Sequence, residues 1–204
     1  MKPFKKISQI QRERTELTKS IAQPVNKKQE PVANQIGEKS EDSKANKKLK
    51  AIGLDCEMCY TNLGFEMMKL SIVDFETNKL ILDEIVKPEG DLIIDLNTHV
   101  SGVSEIPSDA MTFDDVMNKL ADITDDGTIC IGHGLENDLN VLRLIYSNVV
   151  DTAILFSENQ IDPMRKDPLK KLAWKYLSKN IQGNQHDSLE DALIPIEIVR
   201  KNLK

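Results

Sequence analysis

The sequence predicts an α/β domain in which a mixed five-stranded sheet is flanked by helices. Short apolar runs separated by few residues fill the stretch from residue 51 to residue 86. Beyond residue 112, apolar residues at helical spacing alternate with further short apolar runs. Three successive strands followed by alternating helices and strands fit an α/β domain with helices packed on a mixed sheet.

The chain changes composition near residue 48. Residues 1–50 contain 13 Lys and Arg against 6 Asp and Glu, whereas the remainder contains 14 against 27. Residues 1–47 are rich in Lys, Gln, Ser, Asn and Glu, a composition that favours disorder. A basic arm of this kind is either a solvated linker or a segment that contacts an anionic partner, such as nucleic acid or a phospholipid surface. We expect an arm over residues 1–47 and a folded domain over residues 48–204.

Three strands are predicted at the start of the domain. They are expected over residues 51–57, 67–75 and 80–86, with a polar turn at 76–79. Connections this short imply an antiparallel meander. The stretch 87–106 contains many Pro, Gly, Asp and Asn residues and is interpreted as a loop.

Capping residues indicate where two of the helices begin. Thr112, with Asp115 three residues later, is the predicted N-cap of a helix that continues to residue 123. Asp187 with Glu190 forms a similar pair before a final helix that extends to residue 203. The other elements are expected as a strand over 128–132, a helix over 136–146, a strand over 149–155 and a helix over 168–177.

The chemistry of the chain is organised around Asp55 and Glu57, which end an apolar strand. Because alternate side chains of a strand point to opposite faces, both carboxylates point the same way. Their mutual repulsion requires water, a proton or a cation. A polar strand end that faces solvent would explain the pair, and so would a divalent metal held by oxygen ligands.

Later segments supply partners for this pair. Asp138 falls in the first turn of the helix predicted at residue 136, where it could also serve only to offset the helix dipole. His186 and Asp191 flank the start of the last helix. Phosphodiester hydrolysis with two divalent ions needs about four carboxylates and benefits from a neutral imidazole that accepts a proton. The sequence supplies both. His133 is interpreted as ordering a turn, and His99 as incidental.

The three cysteines indicate a reduced, intracellular protein and not a disulfide framework. Metal or redox use of Cys56 and Cys59 is not expected, because no second Cys or His pair has ligand spacing. The sequence also shows no apolar run near the ~20 residues that span a membrane, and no secretory signal pattern.

Three motifs in this order resemble those of the DEDDh exonucleases, a ribonuclease H-like superfamily. They are the segments 54–58 (LDCEM), 132–138 (GHGLEND) and 186–192 (HDSLEDA). The amino-acid sequences of residues 55–61 and 134–139 are similar to the corresponding segments of the Rex-type RNA exonuclease branch, in particular of its third member. The resemblance covers about residues 49–200 and implies a ribonuclease H-like sheet.

The resemblance also implies an activity and its residues. It implies a Mg²⁺- or Mn²⁺-dependent 3′→5′ exonuclease that releases nucleoside 5′-monophosphates, with two ions in each active site. Asp55 would bridge both ions, Glu57 and Asp191 would complete one, and Asp138 would hold the other. His186 would be the general base, and Cys56 and Met58 would bind the terminal nucleotide.

The expected substrate is the 3′ end of single-stranded RNA, and the expected role is trimming small structured RNAs, ribosomal RNA among them, in the nucleus, the cytoplasm or both. The alternatives are an exonuclease acting on DNA or short oligonucleotides, and a non-catalytic RNA-binding or scaffold protein of the same fold.

Two further residues carry expectations. Trp174 either stacks on a base or belongs to the core, and its spacing with neighbouring leucines favours the core. The lysines around it could hold phosphates or form a solvated helix face.

Pro195 lies inside the last helix and cannot donate to the Asp191 carbonyl, so we expect a kink there and a slight shift of Asp191.

Overall fold

The computed structural model describes residues 48–157, 166–183 and 186–202. The arm predicted over residues 1–47 lies outside the described residues. The strands are β1 (Ala51–Thr61), β2 (Gly64–Asp74), β3 (Leu80–Ile85), β4 (Ile93–Asp95), β5 (Ile129–Gly132) and β6 (Val149–Asp151). Within the described ranges, none of the helices combines the length and the apolarity needed to cross a bilayer.

The strands form one mixed sheet with β1 at its centre. The order is β3-β2-β1-β5-β6, with β4 paired to the end of β1. β1 to β3 form the predicted antiparallel meander, whereas β5 lies parallel to both β1 and β6. The register of β1 and β2 shifts between Glu57 and Met58, which leaves Met68 as an extra residue in β2. This bulge lies directly beside the predicted metal ligands, a position where bulges often redirect side chains.

The sheet has six strands, so the prediction of five was wrong by one short strand. β1 continues four residues past its predicted end, and Tyr60 and Thr61 pair with β4. β4 lies in the stretch that was interpreted as a loop, which also contains the short helix α1 (Thr98–Ser101). The extra pairing depends on how long β1 becomes in the fold, which local composition does not show.

The predicted helices occur in their predicted order, and a further short helix at Thr152–Leu155 replaces the end of the strand predicted over 149–155. These helices are α2 (Phe113–Ile123), α3 (Glu136–Val141), α4 (Thr152–Leu155), α5 (Leu169–Leu172), which continues as a π-helical segment (Ala173–Leu177), and α6 (Ser188–Asn202). α3 ends five residues before its predicted end, where Arg143 takes a left-handed conformation with φ 57°. β6 stops at Asp151 and not at residue 155, because the Asp151 carboxylate accepts from the Ala153 N–H and starts α4.

Both predicted helix starts were correct. The Thr112 side chain accepts from the Asp115 N–H at the start of α2. At the start of α6, the Asp187 carboxylate accepts from the Leu189 N–H at 3.0 Å. α6 continues through the buried Pro195 to the end of the described residues.

The two faces of the sheet are covered by different helices. Ile52, Leu54 and Cys56 of β1 belong to the same buried cluster as Val116 and Leu120 of α2. Because side chains alternate, the residues between them face the other way, and α6 packs there. Asp55 and Glu57 therefore belong to the face that α6 covers.

The approach of α6 to β1 depends on Gly53. A Cβ atom at this position would lie 2.3 Å from the Ala192 carbonyl oxygen and 2.6 Å from the Ile196 side chain. Only a residue without a side chain lets the helix come this close. The same contact brings the first turn of α6 against the strand that carries Asp55.

Candidate active site

Asp55 and Glu57 lie on the central strand as the alternation of side chains predicted. Glu57 is buried, and Asp55 is half-buried. Lys69 of β2 is paired with Glu57 in the register of the two strands, and its ammonium group lies 3.0 Å from the Asp83 carboxylate. No local pattern in the sequence indicated Lys69, because its position beside Glu57 depends on the pairing of β1 with β2.

Asp138 is held against β1 by a hydrogen bond to the backbone. Its Oδ1 accepts from the Cys56 N–H at 2.8 Å, and the side chain is buried. The turn before α3 depends on Gly134, whose φ of 74° is a conformation that glycine adopts readily. Asp138 therefore joins α3 to β1 at the residue that lies between Asp55 and Glu57. This contact gives Asp138 a role beyond offsetting the helix dipole.

Asp151 shapes the same turn and was not predicted as a functional residue. Its Oδ1 accepts from the N–H groups of Gly134 and Ala153, both at 2.8 Å, and its Oδ2 accepts from Leu135 N–H at 3.2 Å. These bonds fix the entry to α3, and through it the position of Asp138. The local indication of this role was an aspartate at a strand end. Its partners Gly134 and Leu135 lie 17 and 16 residues away in the sequence, so local patterns did not identify them.

His133 has a structural position. Its Nδ1 lies 3.0 Å from Thr152 Oγ1, and that hydroxyl also donates to the Gly132 carbonyl at 2.9 Å. Burial lowers the pKa of His133 and favours the neutral ring. His99 is exposed in α1.

Asp191 and His186 meet at the start of α6. His186 Nδ1 lies 2.9 Å from Asp191 Oδ2, and the His186 N–H donates to the Val100 carbonyl at 2.8 Å. The Gln182 amide donates to both carboxylate oxygens of Asp191, at 3.0 and 2.8 Å, and lies 3.2 Å from His186 Nδ1. Gln182 was not predicted, because its contacts arise only when the loop before α6 folds over that helix.

The fold brings Asp55, Glu57, Asp138 and Asp191 into one carboxylate cluster. The pKa of Asp55 is raised well above its ordinary value, first by burial and then by repulsion from the other three carboxylates. Burial, followed by repulsion from Asp191, raises the pKa of Glu57 to about 7, and Lys69 opposes this shift.

The other two members of the cluster are shifted in the same direction. Burial raises the pKa of Asp138 to about 6, although the Cys56 N–H opposes the shift. Burial also raises the pKa of Asp191, against hydrogen bonds from Gln182 and His186. Four acids held together in this way favour either protons or a bound cation.

The donor chemistry of the carboxylate cluster fits Mg²⁺ or Mn²⁺. Hard divalent ions prefer carboxylate oxygens, and Glu57 Oε1 is buried without a hydrogen-bond partner. In the positions that the side chains occupy here, no three acidic, histidine or cysteine residues of the described ranges surround a common metal position. Asp138 and Asp191 instead direct their oxygens to protein donors. A complete ligand set therefore requires side chains of the cluster to turn.

A cavity of about 350 Å³ lies between the end of β1 and α3. Met58 from β1 and Phe65 from β2 form its apolar walls, and Asn137 and Asn140 of α3 supply amide groups. Two of its lining residues, Met58 and Asn137, are the chain neighbours of Glu57 and Asp138. A cavity of this size with apolar walls and two amides can hold a nucleobase.

Cys56 occupies a different environment from Met58. Its side chain is buried in the core beside Met67, and its N–H is bound by Asp138. Burial raises the pKa of the Cys56 thiol well above its ordinary value. Cys59 and Cys130 are also free and buried, as expected for cysteines without a disulfide framework.

The expectation that Trp174 belongs to the core is wrong. Its side chain is 62% exposed, whereas Leu172 and Ala173 beside it are buried. The change from α-helix to π-helix at residue 173 alters the spacing on which the expectation rested. The assumption of a regular helical period therefore predicted the wrong environment for Trp174.

Comparison with known proteins identifies relatives that match about three quarters of the chain. No family model matches the chain. RNA exonuclease 3 of Candida albicans is 45% identical over 158 residues, which cover 77% of this chain and 39% of the relative. RNA exonuclease 3 of Saccharomyces cerevisiae is 44% identical over 152 residues, which cover 73% and 36%. The chain spans about two fifths of the length of the curated relatives it matches.

A solved structure supports the same assignment. The Pan2 catalytic unit of Neurospora crassa, comprising protease and nuclease domains, matches with a TM-score of 0.69 at 25% identity. The match covers 78% of this chain and 28% of the Pan2 chain.

The mixed sheet and the carboxylate cluster agree with the ribonuclease H-like fold that the sequence motifs implied. By sequence and by fold the chain is similar to DEDD-type exonucleases, and the curated relatives described above carry the name RNA exonuclease 3.

Proposed function

We propose that this chain is a metal-dependent 3′→5′ RNA exonuclease that releases nucleoside 5′-monophosphates. The observation that carries the proposal is the carboxylate cluster, in which three buried acids and the half-buried Asp55 all have raised pKa values, with His186 in contact with Asp191. The names of the curated relatives, which are longer than this chain, support RNA as the substrate.

Two Mg²⁺ or Mn²⁺ ions are the cofactors that suit this cluster. Asp55 would contact both ions, Glu57 and Asp191 would complete the first, and Asp138 would hold the second directly or through water. When bound, such a pair supplies a hydroxide nucleophile and stabilises the leaving oxygen. The orphaned Glu57 Oε1 supports this assignment, because a cation would give it a partner.

His186 is proposed as the general base. Its Nδ1 faces Asp191 Oδ2 at 2.9 Å, and a carboxylate can only accept, so the neutral ring carries its proton on Nδ1. Nε2 is then free of a proton and can accept one from water. Asp191 holds the ring in this tautomer. A folded His186→Ala variant that cleaves RNA at the wild-type rate would contradict the role.

The terminal nucleotide is proposed to occupy the cavity lined by Met58 and Asn137. Met58 would pack on the base, and the β1 backbone at Cys56 and Met58 would line the site. The substrate would be the 3′ end of single-stranded RNA, and the role would be trimming of small structured RNAs, ribosomal RNA among them, in the nucleus, the cytoplasm or both. The acidic composition beyond residue 50 supports binding at a strand end over broad contact with long duplexes.

The test uses 5′-labelled single-stranded RNA and a DNA of matched sequence, with Mg²⁺ or with EDTA. The wild type should shorten RNA from its 3′ end only with metal. Asp138→Ala should abolish the ladder, whereas Asp122→Ala, which removes an exposed acid from α2, should retain it. Asp138→Asn keeps the side-chain shape and guards against a folding defect.

The outcomes separate the candidate functions. An intact ladder in the folded Asp138 variants would remove the basis of the proposal. A stronger ladder on DNA would retain the mechanism and replace the substrate. RNA binding without turnover, and without a response to metal, would favour the non-catalytic protein.

A further inference from the structure

The outer face of the helix that contains α5 and the π-helical segment exposes a tryptophan. Leu169, Leu172 and Ala173 face inward and pack in a cluster with residues of α6. Trp174 faces outward with 62% of its surface exposed, and it is the only tryptophan of the chain. A tryptophan ring combines a large apolar surface with an N–H donor, and tryptophan is therefore enriched at binding interfaces.

Three exposed lysines lie on the same helix as this ring. Lys170, Lys171 and Lys175 are exposed on the same helix, at positions four and three residues before Trp174 and one residue after it. The Lys175 ammonium lies 4.6 Å from the centre of the Tyr176 ring, and Lys171 pairs with Asp167 at 2.8 Å. We call Lys170, Lys171, Trp174 and Lys175 the tryptophan surface. It is a basic patch on a part of the chain that is acidic as a whole.

The tryptophan surface adjoins the candidate active site. The Lys170 ammonium donates to the Gln182 carbonyl at 3.3 Å. The side chain of Gln182 donates to Asp191. Lys170 and the carboxylate cluster are thus joined through a single intervening residue. A strand whose 3′ end reaches the cluster can extend across this surface.

We propose that the tryptophan surface binds single-stranded RNA upstream of its 3′ end, with a base stacked on Trp174 and lysines at the phosphates. The inference rests on the proposed function and adds a second contact with the substrate. Stacking on an aromatic ring tolerates any base, and lysines provide sequence-independent contact with the backbone. A protein-docking surface would instead be expected to place apolar residues around the ring, whereas the exposed residues beside Trp174 in the sequence of this helix are lysines.

The single tryptophan makes the contact directly measurable. Wild-type protein in EDTA, which prevents turnover, is titrated with a single-stranded RNA of about ten nucleotides. Stacking should quench the emission of Trp174 in a saturable manner. Binding of the same RNA carrying a 5′ dye is followed in parallel by anisotropy, which does not depend on the tryptophan.

Variants then distinguish stacking from apolar bulk. Trp174→Ala should weaken binding of the RNA by about fivefold to tenfold, the lower part of the range for one stacked base. Trp174→Phe should restore most of the affinity, whereas Trp174→Leu, which has bulk but no π-face, should resemble Trp174→Ala. Ile145→Ala, at a side chain 83% exposed, is the matched control and should bind as the wild type does.

Substrate length provides a second readout with Mg²⁺ present. Cleavage of a dinucleotide, which fills only the terminal positions, should be equal in wild type and Trp174→Ala. Cleavage of the longer RNA should show a raised KM in Trp174→Ala with kcat unchanged.

The outcomes identify which inference fails. RNA that binds by anisotropy without quenching Trp174, and with equal affinity for Trp174→Ala, would overturn the tryptophan surface and leave the proposed function standing. Equal binding by Trp174→Leu and wild type would also overturn it, in favour of an apolar docking site for a protein. Absence of RNA binding by the wild type would overturn the proposed function itself.

Discussion

Replacing Glu57 by glutamine should stabilise the metal-free protein at pH 8 and change its stability little at pH 4.5. Glu57 is buried among like charges, with Oε1 lacking a hydrogen-bond partner. Burial and repulsion from Asp191 raise its pKa from 4.5 to about 7. The amide has nearly the same shape and carries no charge, so it removes the unfavourable interaction without leaving a cavity.

The pKa shift sets both the magnitude and the pH window. At 1.36 kcal/mol per unit, the shift corresponds to roughly 3 kcal/mol of free energy of unfolding. Because the folded-state pKa exceeds the unfolded value, the folded protein holds the proton more tightly. The contribution of Glu57 to the stability of the wild type is therefore fully present below pH 4.5 and is lost as pH rises to about 7. The free energy of unfolding of Glu57→Gln relative to wild type should increase over the same pH range.

Urea denaturation in EDTA at pH 4.5 and pH 8 measures the effect. Glu66→Gln is the matched control, because Glu66 is also buried but accepts from the N–H groups of Glu89 and Gly90, both at 3.0 Å. It should destabilise the protein at both pH values. Adding Mg²⁺ at pH 8 should stabilise the wild type and stabilise Glu57→Gln much less. An equal change for Glu57→Gln at both pH values would refute the reasoning.

Three further substitutions test other parts of the site. Gly53→Ala should lower the free energy of unfolding by about 1–3 kcal/mol, because its Cβ would lie 2.3 Å from the Ala192 carbonyl; Gly183→Ala, with open space around it, should be neutral in the same urea titration. Asp151→Ala should cost about 2–3 kcal/mol by leaving buried N–H groups unpaired, and calorimetry should show weaker Mg²⁺ binding; unchanged stability would contradict the role of that carboxylate. Met58→Ala should raise KM for RNA severalfold with little change in kcat, whereas a fall in kcat alone in steady-state assays would place Met58 outside the nucleotide pocket.

Local patterns predicted most of the fold. The apolar runs, short connections and capping residues predicted the meander, the order of the elements and the starts of α2 and α6. The errors occurred where tertiary contacts override local preference. β4 exists because β1 extends to meet it, and β6 is short because Asp151 bonds to the chain on both sides of the turn.

The residues of the candidate site also fall into those that local patterns predicted and those that they did not. Asp55, Glu57, Asp138, His186 and Asp191 were identified from three separated motifs, because the acids and the imidazole are chemically conspicuous. Lys69, Asp151 and Gln182 were missed, since each acts through a residue distant in sequence. Trp174 was assigned to the wrong environment, because a regular helical period does not describe a π-helical segment.

The sequence by itself determined which groups are available for chemistry and that Asp55 and Glu57 share one face of a strand, because side chains alternate along every strand. Only the tertiary structure decided that α6 approaches β1 at Gly53 and that α3 is bound to Cys56 through Asp138. Repulsion and burial raise the pKa of four carboxylates only once these elements meet, since neither effect exists in the separated segments.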